Sequence, residues 1–128
     1  MKRRELASRA FENAEKTKLL TDITNPAIIE LCRERAKNAV NSGKDVIIDA
    51  PLLFSSGLNE ICDRTVFVTA PEALRIRRIM KRDGISEEEA KKRVNAQRAE
   101  MKLNEKADVI LENGENADID EIIRNLFI

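Results

Sequence analysis

The chain has 128 residues, 42% hydrophobic and 36% charged, which suits one domain with a modest core and helices with solvated outer faces. Its 23 basic and 23 acidic residues cancel; this excludes a general pull toward nucleic acid or an anionic membrane and leaves anion binding to local clusters of Arg and Lys. Histidine, tryptophan and tyrosine are absent, which excludes His-based triads, histidine metal sites and imidazole bases and argues against a base-stacking single-strand platform.

No apolar run is long enough to span a bilayer, and the charged start Met1-Lys-Arg-Arg4 does not read as a signal peptide. The expected setting is the cytoplasm. Cys32 and Cys62 stand apart without C-x-x-C spacing and read as small buried residues in a reducing compartment.

The first two dozen residues read as polar helix, with Leu6, Ala10, Phe11, Leu19 and Leu20 as apolar contacts. Asn25-Pro26 predicts a helix start, since Asn caps orphan amides and Pro suits the first helical position. That helix uses Ile28, Ile29, Leu31, Cys32, Ala36, Ala39 and Val40, and it ends at Gly43, a left-handed residue past the C-cap. Residues 1–44 thus form a helical region. The apolar run Asp45–Ala50 then predicts a buried parallel strand that delivers Asp49 to its C-terminal end before Pro51. In open α/β sheets that is where ligands bind. Asp49 is either a ligand-side carboxylate or a cap for the following loop, and both readings stand. Leu52-Leu53-Phe54 continue as an apolar loop, either pocket wall or core.

A second strand is predicted at Thr65–Thr69, and Pro71 opens a helix that runs to Arg82 and the turn Asp83-Gly84. Ser86 and Glu89 form a capping box for a further helix with Ala90, Val94 and Met101 on its apolar face. A third strand, Asp108–Leu111, is closed by the turn Asn113-Gly114. Asp118 caps a last helix striped with Ile119, Ile122, Ile123, Leu126 and Phe127. Strands that read as continuous apolar runs between helices predict an α/β fold with a parallel sheet.

Within the helical segment 71–103 the arginines stand out. At about 100° per residue, Arg75, Arg78 and Arg82 fall within an arc of about 60°. Arg93, Gln97 and Arg98 follow beyond the turn, as though on a hinged flap. Planar guanidinium groups suit phosphate. The plainer reading is a solvated face pairing with Glu72 and Glu87 to Glu89, and for the stripe alone that reading carries more weight. Glu87-Glu88-Glu89 themselves are explained as favourable charge at a helix start.

These residues resemble the dephospho-coenzyme A kinases, a branch of the P-loop kinase-like fold. The family's D-x-P-L-L-F-E appears as Asp49-Ala-Pro-Leu-Leu-Phe54, with Ser55 in place of Glu. Its C-D before the next strand appears as Cys62-Asp63. The lid pattern R-x-x-x-R-D-G-x-S-x-E-E-A-x-x-R-x-x-x-Q is complete from Arg78 to Gln97, and Ala107-Asp-Val-Ile-Leu-Glu-Asn113-Gly matches A-D-x-V-I-x-N-x-G. Ile23-Thr-Asn-Pro-Ala-Ile28 is similar to I-T-H-P-x-I, with Asn25 replacing histidine.

The resemblance implies a partial three-layer α/β/α kinase domain over residues 1–128, and ATP-dependent phosphorylation of the 3′-hydroxyl of dephospho-coenzyme A with Mg²⁺. It implies that Arg78, Arg82 and Arg93 hold ATP phosphates and stabilise charge on the transferred group. Gln97, Asn113 and Gly114 would belong to the ATP side, and Asp49, Pro51, Leu52 and Leu53 to the acceptor side. No metal ligand is assigned. The family's G-x-x-x-x-G-K-[ST] loop, its central first strand and its catalytic aspartate have no counterpart in this sequence. The expectation is therefore an N-terminally truncated kinase without useful activity alone, prone to self-association through unpaired sheet edges. The alternatives are a non-catalytic nucleotide- or coenzyme A-binding remnant, or a half that needs a partner carrying the phosphate loop.

Overall fold

The computed structural model describes residues 2–10 and 13–126. The chain divides into two compact units, Met1–Pro51 and Leu52–Ile128. The contacts expected of Phe11, Phe127 and the Ala10 side chain lie outside what is described. Among the described residues no helix is long and apolar enough to cross a membrane.

The first unit is helical, as its sequence predicts, but the helix boundaries differ. Helix α1 spans Arg3–Ala10 and α2 spans Ala14–Asn41. The start of α2 is capped by Asn13, whose side-chain oxygen accepts from the Lys16 N–H at 2.8 Å. Pro26, expected to open a helix, lies inside α2 instead. An interior proline removes one backbone bond and crowds the preceding turn, costing about 3 kcal/mol. Breaking the helix there would create two more ends, each with four unpaired backbone groups, and would require a second nucleation. One uninterrupted helix is the better compromise.

The far end of α2 matches the sequence reading. Gly43 has φ 78°, its N–H donates to the Val40 carbonyl at 2.9 Å, and the Lys44 N–H donates to the Ala39 carbonyl at 3.0 Å. That pair of bonds is a Schellman closure, which needs a residue tolerant of positive φ.

The predicted strand Asp45–Ala50 does not form. A strand exists only where a neighbour takes up its backbone donors and acceptors, and among the described residues the two strands pair with each other. Ile47 is 81% exposed, so the segment is not buried either.

The second unit opens with turns. Leu52 accepts from the Ser56 N–H at 3.0 Å and Phe54 from the Gly57 N–H at 3.2 Å, and a short 3-10 turn follows over Leu58–Ile61. Strand β1, Val66–Thr69, pairs in parallel with β2, Val109–Glu112, with Val66 opposite Val109 and Thr69 opposite Glu112. Parallel neighbours need a long crossover; here it is α3 (Glu72–Asp83), α4 (Glu87–Ala96) and α5 (Arg98–Asn104). Helix α6, Ile119–Leu126, ends the described chain.

The local signals hold in this unit. Gly84 is left-handed at φ 63°, and the Ser86 hydroxyl accepts from the Glu89 N–H at 3.2 Å. Asp118 caps α6 by accepting from the Glu121 N–H at 3.1 Å. Two details differ. The helix expected to continue through Met101 breaks at Gln97, and the turn after β2 falls on Glu115-Asn116 rather than on Asn113-Gly114.

The core is small. Leu58, Leu74, Ala90 and Val94 are buried, the last two on α4, which packs on α3. Val68 and Ile110, on strands expected to be covered on both faces, stay more than half exposed.

Candidate functional site

Parallel strands present their C-terminal edge to ligands because the connecting loops and helix starts open there. In this chain that edge is the pair of segments leaving Thr69 and Glu112. The Asn113 N–H donates to the Thr69 carbonyl at 2.7 Å, so the ladder runs one bond beyond the strands and holds the Asn113-Gly114 segment beside the exit of β1.

The opposite end of the strands is closed by a side-chain clasp between Thr65 and Asp108. Asp108 Oδ2 accepts from the Thr65 N–H at 2.7 Å and from the Thr65 hydroxyl at 2.9 Å, and the Asp108 N–H donates back to that hydroxyl oxygen at 3.0 Å. Donation from the Thr65 backbone, then from its hydroxyl, holds the Asp108 carboxyl below its ordinary range. Any other registry would lose this reciprocal set. Its signal in the sequence was only a polar residue before each apolar run.

Helix α3 brings the arginine stripe to the ligand edge, and the structure divides the stripe by height. Arg75 Nε donates to the Ala70 carbonyl, just past β1, at 3.1 Å. One turn on, Arg78 Nη1 donates to the Asn113 carbonyl at 2.8 Å and Nη2 to the Gly114 carbonyl at 3.4 Å. Arg77 Nη2 stands 3.7 Å from Glu115. The lower arginines of α3 thus hold the carbonyls of both strand exits.

The upper part differs. At the end of α3, Arg82 engages Asp83 through two bonds, Nε to Oδ1 at 2.9 Å and Nη2 to Oδ2 at 3.0 Å. Arg93, reaching over from α4, donates through Nη1 to the same Oδ2 at 2.5 Å. Ser86 caps α4, whose Ala90 and Val94 are buried, and α4 packs on α3, which brings Arg93 near Asp83. The bidentate bond from Arg82 comes first in holding the Asp83 carboxyl below its ordinary range, and Arg93 adds to it; the same contact raises the Arg82 guanidinium. Two guanidinium groups over one carboxylate leave a net positive site, and all three side chains are accessible to an anion in solvent. Sequence reasoning read Asp83 only as a turn residue; its signal was its place directly after Arg82.

The other candidates are placed as follows. Gln97 lies at the break between α4 and α5 and is exposed. Arg98 donates to Asn95 Oδ1 at 2.9 Å and pairs with Glu72 at 2.5 Å, whereas Arg75, Arg78 and Arg82, expected to pair with Glu72 and Glu87 to Glu89, meet other acceptors. Asp49 and Pro51 belong to the first unit, where Asp49 is exposed in the irregular segment instead of standing at a strand end. Leu52 and Leu53 belong to the second unit, in the turns before Leu58. Among the described residues no group of three His, Cys, Asp or Glu side chains converges to hold a metal ion. No disulfide joins the half-buried Cys32 and Cys62, and the Cys62 Sγ lies 3.5 Å from the Leu58 carbonyl.

Comparison with known proteins gives a consistent result. The family model for dephospho-CoA kinase matches residues 1–118. A dephospho-CoA kinase of Corynebacterium diphtheriae is 38% identical over 120 residues, 93% of this chain and 60% of that protein. One of Fusobacterium nucleatum is 35% identical over 114 residues, 89% of this chain and 58% of that protein. The chain thus spans about three fifths of the length of these curated relatives. Among solved structures, a dephospho-CoA kinase from Campylobacter jejuni superposes with a TM-score of 0.63 at 30% identity, covering 98% of this chain and 65% of that one. A Thermus thermophilus protein superposes with a TM-score of 0.64, also at 30% identity, over 98% of this chain and 63% of its own.

Proposed function

The chain belongs to the dephospho-CoA kinase family, and from that premise we propose that it carries the lid and the nucleotide-binding edge of an enzyme that moves the γ-phosphate of ATP to the 3′-hydroxyl of dephospho-coenzyme A. One observation carries this reading. Residues far apart in the chain, Arg78 on α3 and Asn113-Gly114 after β2, meet at the ligand edge of the sheet, with the Arg82–Asp83–Arg93 cluster farther along the same lid.

In this reading Asn113 and Gly114 border the adenine. Arg82 and Arg93 take the phosphates, and Gln97 lies on the same side. Phosphoryl transfer needs little covalent help from the protein; it needs the phosphates held and their developing charge matched by fixed donors. Two guanidinium groups already gathered at one point do this with little reorganisation. Asp49, Pro51, Leu52 and Leu53 are proposed for the acceptor side. Mg²⁺ would enter bound to ATP, as is usual where phosphates supply much of its coordination. The balanced charge of the chain and its thiols suit a cytoplasmic enzyme that binds small anionic substrates.

Two calorimetric titrations test the proposal. ATP should bind at one saturable site, and the double variant Arg82→Ala/Arg93→Ala should lose most of that heat. Dephospho-coenzyme A should bind independently. A folded sample that takes up neither ligand would defeat the proposal. A second reading is a module that binds nucleotide or coenzyme A without turnover. A phosphate-transfer assay separates the two: binding without a 3′-phosphorylated product supports the module, and turnover supports the complete reaction.

A further inference from the structure

Arg78 stands one turn after Arg75 and one turn before Arg82 on α3, and the two ends of its guanidinium are engaged by the protein's own backbone. Nη1 donates to the Asn113 carbonyl at 2.8 Å and Nη2 to the Gly114 carbonyl at 3.4 Å. A planar fork that serves two successive carbonyls fixes the peptide unit between them, because each N–H must approach near the plane of its acceptor. The same short ledge is anchored twice more, by the Asn113 N–H on Thr69 and by Arg77 beside Glu115. Three anchors from β1 and α3 on three successive residues are more than a solvated connection needs. The ledge also faces free space: a Cβ built at Gly114 meets nothing within 4 Å.

We infer that Arg78 is a positioning residue, which grips the carbonyls of Asn113 and Gly114 so that this ledge is held as a rigid edge for the nucleobase, and that phosphate is left to Arg82 and Arg93. The inference rests on the nucleotide reading above. It separates two roles within one stripe of arginines. The lower arginine shapes the base-binding edge through the backbone, whereas the upper pair, already sharing Asp83, meets the anion directly.

The substitution Arg78→Lys tests this, because lysine keeps the charge but cannot span two carbonyls with a fixed fork. Two probes are titrated, ATP and inorganic tripolyphosphate, and amide hydrogen exchange is followed by NMR without ligand. In the variant, exchange at Asn113, whose N–H is bonded to Thr69, should quicken about tenfold while Ala90 and Val94 are unchanged. ATP affinity should fall about tenfold and tripolyphosphate affinity should stay within about twofold, the size of a lost charge-assisted hydrogen bond against a retained surface charge. Equal losses for both probes would make Arg78 a phosphate ligand and overturn the inference, as would unchanged exchange at Asn113. If the wild-type chain binds neither probe, the nucleotide reading fails and takes the ligand half of this inference with it. The exchange result then decides alone whether Arg78 holds the ledge.

Discussion

Val94 is 1% exposed and is the largest side chain buried to that degree among the described residues. Replacing it with alanine deletes two methyl groups from the seam where α4 meets α3. At about 0.8 kcal/mol per buried carbon the transfer loss is about 1.6 kcal/mol, and the cavity left behind raises the cost to about 2–3 kcal/mol. A unit of this size is held by only about 4–12 kcal/mol in all. With a urea slope near 1 kcal/mol per molar, the unfolding midpoint should drop by about 2–3 M. The chain has no tryptophan or tyrosine, so the transition is followed by far-ultraviolet circular dichroism. Val68→Ala provides the matched control, since Val68 is 59% exposed on β1 of the same unit; it should cost no more than about 0.5 kcal/mol. A midpoint shift for Val94→Ala below about 0.3 M would refute the placement of the core. Equal costs for the two variants would mean that the sheet face is covered in solution.

Four other outcomes rest on the same structure. Asp108 has its folded pKa held below its unfolded value by Thr65, so its stabilisation is complete above about pH 4 and is lost as pH falls through the folded value. The melting-temperature gap between wild type and Asp108→Asn should therefore be present at pH 7 and narrow as pH falls below about 4; a gap that does not narrow in acid would remove the charge from the explanation. Gly84→Ala places a Cβ at φ 63° with nothing to clash against, so strain alone should cost about 1 kcal/mol. Gly114→Ala has open space and no positive φ, so its melting temperature should stay near wild type while ATP affinity falls, and unchanged affinity would move the base elsewhere. Finally, among the described residues β1 and β2 pair only with each other, and open parallel edges recruit other chains. Sedimentation velocity should show a concentration-dependent larger species; a single monomer at all concentrations would oppose this.

The features legible in the sequence were those decided within a few residues. Gly43 was read as left-handed, because only a residue without a Cβ enters that region freely, and Asp83-Gly84 was read as a turn. Ser86 and Asp118 were read as caps because their acceptors reach an amide three residues on. The parallel sheet and the kinase family followed from apolar runs and motif order. Pro26 misled because a local preference for a helix start competed with the cost of interrupting a long, well-capped helix.

What the sequence determined by itself was thus the two strands that pair, the closure at Gly43, the caps Ser86 and Asp118, the charge clusters and the family to which they belong. Whether Asp45–Ala50 became a strand was a tertiary question, since β structure depends on a neighbour supplied from elsewhere in space. The division of labour among the arginines was tertiary as well. Arg75, Arg78 and Arg82 are alike in helical phase, and only the carbonyls of Ala70, Asn113 and Gly114 and the carboxylate of Asp83 tell them apart. A guanidinium takes its role from the acceptor it meets, and that acceptor is fixed by how the crossover helices return to the sheet.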